Sequence, residues 1–98
     1  MQIKKINNGN KLTMRISGRL DTITAPELEK EVCSSLDGVK DLVMDFSDLE
    51  YISSAGLRVL LSVSKRMSAK GSFVIRNCSD EIKEIFDVTG FLDIFTVE

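Results

Sequence analysis

A chain of 98 residues is too short for two cores, and 43% hydrophobic with 29% charged content excludes a disordered or fibrous class. A formal net charge of −2 supplies no broad positive field, which argues against nucleic acid or an anionic membrane as partner. Histidine is absent, so Ser-His-Asp and Cys-His catalysis and most zinc sites are excluded too.

The opening stretch MQIKKINNGNK lacks the apolar centre of a signal peptide, and no apolar run approaches the ~20 residues that span a bilayer. A cytoplasmic protein with no direct membrane insertion is expected. Asn8-Gly9 is a strong turn signal, and LTMRISGRL alternates apolar and polar residues through Leu12, Met14, Ile16 and Leu20. Residues 2 to 7 and 11 to 18 therefore read as an antiparallel hairpin.

In TITAPELEKEVCSSL the period changes: Leu28, Val32 and Leu36 recur every fourth residue, with Thr24 and Glu27 as a capping box and Pro26 in the first turn. This is an amphipathic helix ended by Gly38. Leu42, Val43 and Met44 then form an unbroken apolar run suited to a central strand covered on both faces, although helices could cover only one. Cys33 and Cys78 form no CxxC pair, and each lies beside a serine near an apolar stretch, as small buried thiols of a reducing compartment do.

In the stretch YISSAGLRVLLSVSKRM two serines, an alanine and a glycine stand directly in front of a helix-like apolar run. Leu57, Leu60, Leu61, Val63 and Met67 share one side, and Arg58, Ser62, Lys65 and Arg66 the other. Gly71 stops it, SFVIRN reads as a buried strand, and Ser79 with Asp80 and Glu81 opens a third helix that turns Ile82, Ile85 and Phe86 inward. After Gly90, FLDIF reads equally as a last strand or a helical turn. The order β β α β α β α, followed by a further β, implies a mixed sheet with helices joining its parallel strands.

No phosphate loop, dinucleotide-binding glycine motif or nucleophile elbow is present, so no catalytic residue, cofactor or metal is expected. Asp45 and Asp48 are the nearest thing to an acidic cluster and read as turn-capping or surface groups. The residues before Leu57 carry more information. Ser53 or Ser54 can cap the first amides of the helix, and Ala55-Gly56 can let it pack closely on the sheet. Both serines could serve as caps. If one suffices, the other leaves a hydroxyl exposed at a helix N-terminus, where a phosphate is tolerated locally and changes what a partner meets.

LEYISSAGLRVLL resembles the signature of STAS domains, the anti-sigma factor antagonist family, in which a serine before a small residue and glycine is phosphorylated by a partner kinase. ISGRLDTITAPELE is similar to that family's second strand, its G-x-L-D-x-x-T turn and its first helix, and GVKDLVMDFSDLEYISSAGL to the central strand running into the phosphorylation loop. The resemblance implies an α/β fold with one STAS-type domain over residues 1–98: a mixed four- to five-stranded sheet, an N-terminal hairpin and about three to four helices packed on it. It places the phosphorylation target on Ser54, with Ser53 standing where the family pattern has aspartate. The docking surface it implies comprises Asp21, Ser53, Ser54, Ala55, Gly56, Leu57 and Arg58.

By that resemblance the unphosphorylated chain binds an anti-sigma factor of the serine kinase class and frees a sigma factor. Phosphorylated on Ser54 it lets go, and a PP2C-type phosphatase acts as eraser. ATP and magnesium belong to the kinase, so the chain is itself no enzyme. The alternative within the same fold is a non-phosphorylated scaffolding subunit of a lipid-transport, transporter or signalling complex. A third reading, nucleotide binding at the helix entrance, rests on the anion-attracting helix N-terminus alone.

Overall fold

The computed structural model describes residues 1–98. Strands β1 (Gln2–Asn8) and β2 (Lys11–Leu20) form the hairpin, with Gly9 at φ +64° in its turn. They are followed by α1 (Ala25–Ser35), β3 (Asp41–Asp45), β4 (Leu49–Ile52), α2 (Ser54–Ser68), β5 (Ser72–Arg76), α3 (Asp80–Val88), a 3-10 turn (Phe91–Asp93) and β6 (Thr96–Val97). The main sheet runs β1-β2-β3-β5-β6, antiparallel only in the hairpin, and β4 pairs with β2 off this path. The mixed sheet and the hairpin are as expected; β4 is a strand more than the sequence suggested. FLDIF resolves into the 3-10 turn, and the last strand follows it.

The crossovers from β2 to β3, β3 to β5 and β5 to β6 all step the same way across the sheet. Right-handed connections therefore place all three α-helices on one face. On that side Leu12, Met14 and Ile16 of β2, Leu42 and Met44 of β3, and Phe73 and Ile75 of β5 join Leu28 and Val32 of α1, Leu60, Val63 and Met67 of α2, and Ile82 and Phe86 of α3 in one contiguous core. The opposite face carries a register-matched row, Ile6, Thr13, Val43, Val74 and Thr96, every member β-branched. Val43 is buried but stands outside the core cluster, among its cross-strand neighbours. The apolar run in β3 thus reflects burial on both faces with helices over only one.

Two local expectations are corrected. Thr24 makes no capping box: its backbone is already helical, at φ −89° and ψ −20°, and its side chain makes no cap hydrogen bond. Its hydroxyl accepts from the Asp21 amide at 2.9 Å and donates to the Arg19 carbonyl at 2.8 Å. Cys33 is exposed, because it lies about 100° around α1 from Val32, off the stripe of Ala25, Leu28 and Val32 that packs inward. Cys78 is half-buried and free.

Candidate functional site

β2 extends past β3 and uses the freed edge to hold β4, with Gly18 opposite Leu49 and Leu20 opposite Ile52, across a register shift between Gly18 and Arg19. The Ser53 amide then donates to the Leu20 carbonyl at 2.8 Å, so the mouth of α2 is fastened to the end of β2. Ser53 is the N-cap, with extended backbone, and its Oγ accepts the Gly56 amide at 3.3 Å. That satisfies the capping requirement with a single serine. Ser54, the first helical residue, is exposed and makes no side-chain hydrogen bond.

Ala55 and Arg58 border a groove of about 510 Å³ between α1 and α2, which Ala25, Pro26 and Cys33 line from the other side. The structure therefore brings together Ser53, Ser54, Ala55 and Arg58, and the Ser53 to Leu20 bond brings the turn containing Asp21 alongside. Two residues expected on the docking surface do not reach it: Gly56 and Leu57 are buried. A Cβ on Gly56 would lie 2.8 Å from Leu20 Cγ and 2.9 Å from Ile52 Cγ1, so the glycine is there for close packing on the sheet. Leu57 belongs to the core cluster.

Asp21 is tied into its own turn. Its Oδ1 accepts the amides of Ile23 and Thr24, each at 3.0 Å, and its Oδ2 lies 3.8 Å from Arg19 Nε. The Thr24 amide, then the Ile23 amide, the Thr24 hydroxyl and the Arg19 charge, hold the carboxyl below the usual carboxylate range despite an opposing desolvation. Arg19 also stands 4.3 Å above the centroid of the Tyr51 ring. Asp45 fits the turn-capping reading: its Oδ1 accepts the Ser47 amide at 2.9 Å and the Asn77 side chain at 3.2 Å. Burial pushes its carboxyl up, yet these hydrogen bonds outweigh it and the group sits below its usual range. Asp48 pairs with Arg15 at 3.3 Å, and no group of three or more acidic or cysteine side chains is arranged to hold a metal.

The sequence reading missed part of this surface. Ile23, 85% exposed, projects from the β2–α1 turn, and Tyr51 with Arg19 borders the α2 mouth from β4 and β2. Ile23 left a signal, since it is a large apolar residue in DTITAP that neither the strand alternation nor the helix stripe absorbs. No helix of the chain is long and apolar enough to cross a membrane.

The STAS domain family model matches residues 2–98. BtrV of Bordetella bronchiseptica, named provisionally as an anti-sigma factor antagonist, is 38% identical over 84 residues, which cover 84% of this chain and 72% of that protein. The anti-sigma-B factor antagonist of Bacillus subtilis is 30% identical over 91 residues, covering 92% of this chain and 84% of that one. Among solved structures, the anti-sigma factor antagonist SpoIIAA in its unphosphorylated form matches 99% of this chain and 87% of its own at a TM-score of 0.78 and 15% identity. The phosphorylated form, described as a Bacillus cell fate determinant, matches 99% of this chain and 91% of its own at 0.76 and 16%.

Proposed function

The chain belongs to the STAS domain family, and from that premise we propose that it is an anti-sigma factor antagonist whose binding is switched by phosphorylation of Ser54. Unphosphorylated, it binds an anti-sigma factor with serine kinase activity in the cytoplasm, and a sigma factor is released. Phosphorylated, it is set free until a PP2C-type phosphatase removes the group. The names of the relatives support antagonism, and the existence of a phosphorylated form of SpoIIAA supports the chemistry of the switch.

The observation that carries the reading is the division of labour between the two serines. Ser53 satisfies the α2 cap, which leaves the Ser54 hydroxyl exposed at the helix mouth beside the small Ala55. A dianion there meets the positive end of the helix dipole and need not unfold α2. It lands in the middle of the surface a partner would cover, where it disrupts complementarity.

The test is a pull-down from native lysate with the wild type, Ser54→Ala and Ser54→Asp in parallel, followed by incubation of the captured kinase with ATP. The wild type and Ser54→Ala are expected to retain the kinase and Ser54→Asp to lose it. Tandem mass spectrometry is expected to place one phosphate on Ser54, and a label confined to another residue would remove Ser54 from this role. Ser53 in place of aspartate is the one observation favouring the scaffolding reading, in which all three proteins retain a membrane complex and no phosphopeptide forms.

A further inference from the structure

Resting on the reading of Ser54 as the modified residue, we infer that Arg58 is the built-in counter-ion of the phosphate, so that one modification both adds negative charge and withdraws a cation from the docking surface. Ser54 and Arg58 lie four residues apart on α2, and both are exposed. At that spacing the two side chains are neighbours on the helix surface, and the order of acid first and base one turn later is the favourable one. The guanidinium presents paired N–H donors that match phosphate oxygens.

Arg58 is free to do this. The four ion pairs of the chain are Lys5–Glu31, Arg15–Asp48, Arg19–Asp21 and Arg76–Glu98, and Arg58 belongs to none of them. It makes no side-chain hydrogen bond either, whereas Arg19, the other arginine beside the mouth, is already engaged by Asp21 and the Tyr51 ring. The charged and titratable groups facing it across the groove from α1 are Glu29, Lys30 and Cys33. Glu29 is the sole carboxylate among them and stands outside ion-pair distance, and Lys30 adds to the positive potential. From the β2–α1 turn comes Asp21, whose carboxylate is held by Thr24, Ile23 and Arg19.

In the unmodified protein this leaves a guanidinium beside Ala55 that can receive a carboxylate of the partner. In the modified protein the phosphate, tethered one turn away, takes the guanidinium first. The partner then loses its cation and meets a group of the wrong sign.

The experiment installs phosphoserine at position 54 of the full chain by an expanded genetic code, with no kinase involved, and follows its second ionisation by 31P NMR from about pH 4 to 9. Ordering by Arg58 predicts that the phosphate of the Arg58→Gln variant ionises about 0.3 pH units higher than that of the parent. Arg58→Lys should recover part of the shift, Arg66→Gln should not alter it, and about 1 M NaCl should abolish it. Equal ionisation in the parent and Arg58→Gln to within about 0.1 units, or an equal shift in Arg66→Gln, overturns the inference. Since the phosphate is supplied directly, that failure is separate from the kinase test, where a label on another residue undoes the function and leaves this pair measurable.

Discussion

Gly56 and Leu20 meet with no room for one more carbon: a Cβ on the glycine would stand 2.8 Å from Leu20 Cγ. A glycine within a helix is ordinarily a defect of about 0.5–1 kcal/mol relative to alanine. Here Leu20 and Ile52, the two side chains that would have to yield, are 0% and 3% exposed and have nowhere to go. The steric term of about 1–3 kcal/mol for overpacking outweighs the helix preference.

Gly56→Ala is therefore expected to lower stability by about 1–2 kcal/mol, seen as a lower urea midpoint at unchanged slope. A variant as stable as the parent would show that the α2 mouth can lift from β2 at no cost.

The two serines should separate cleanly. Ser53→Ala removes the oxygen that accepts the Gly56 amide and is expected to cost about 1 kcal/mol. Ser54→Ala, at an exposed hydroxyl without a hydrogen bond, should stay within about 0.5 kcal/mol of the parent. Urea titration of both proteins checks the ranking, and the reverse order would make Ser54 the structural residue.

Asp21 should contribute to the acid limb of the stability curve. Its folded carboxyl is held below the unfolded value, chiefly by the Thr24 amide. The folded protein therefore keeps the charged form more strongly than the unfolded chain does. The stabilisation is complete above the unfolded carboxylate range, near pH 4, and is lost as the pH falls through the lower folded value. Asp21→Asn should lower stability at neutral pH and flatten the loss between about pH 5 and 2, as followed by thermal unfolding. An acid limb unchanged in the variant would take Asp21 out of this account.

The cysteines should react unequally. Cys33 is exposed, whereas burial pushes the Cys78 thiol up to about 11, with Lys83 opposing weakly. At pH 8 only about one in a thousand Cys78 side chains is then thiolate. Iodoacetamide is expected to label Cys33 more than about tenfold faster, with peptide mapping to assign the adduct.

The elements that the sequence revealed are those whose periodicity is local. The alternation of β2 and the stripes of α2 and α3 each repeat over several residues, so burial could be read from spacing. β4 was hidden because it has four residues, buries only Leu49 and Ile52, and owes its existence to a remote partner at Gly18 to Leu20. The capping box failed for a conformational reason: Thr24 lies in the helical region, its hydroxyl is committed to the Asp21 amide and the Arg19 carbonyl, and Asp21 receives the Thr24 amide that the Glu27 side chain would have taken. At the candidate site the SSAG pattern suggested a helix entrance with a spare hydroxyl. Which serine caps, and that Gly56 and Leu57 turn inward, depend on the phase of α2 against β2, which one strand of text does not fix.

β2 has ten residues, and only Lys11 to Arg15 are matched by β3. Its last three residues, Gly18 to Leu20, form a post that carries β4 and the α2 mouth beyond the segment paired with β3. The elevation of the Ser54 hydroxyl is set through that post, because the Ser53 amide is bonded to the Leu20 carbonyl at its end. Shortening it by one residue would rotate Leu20 outward and pull the mouth down together with it.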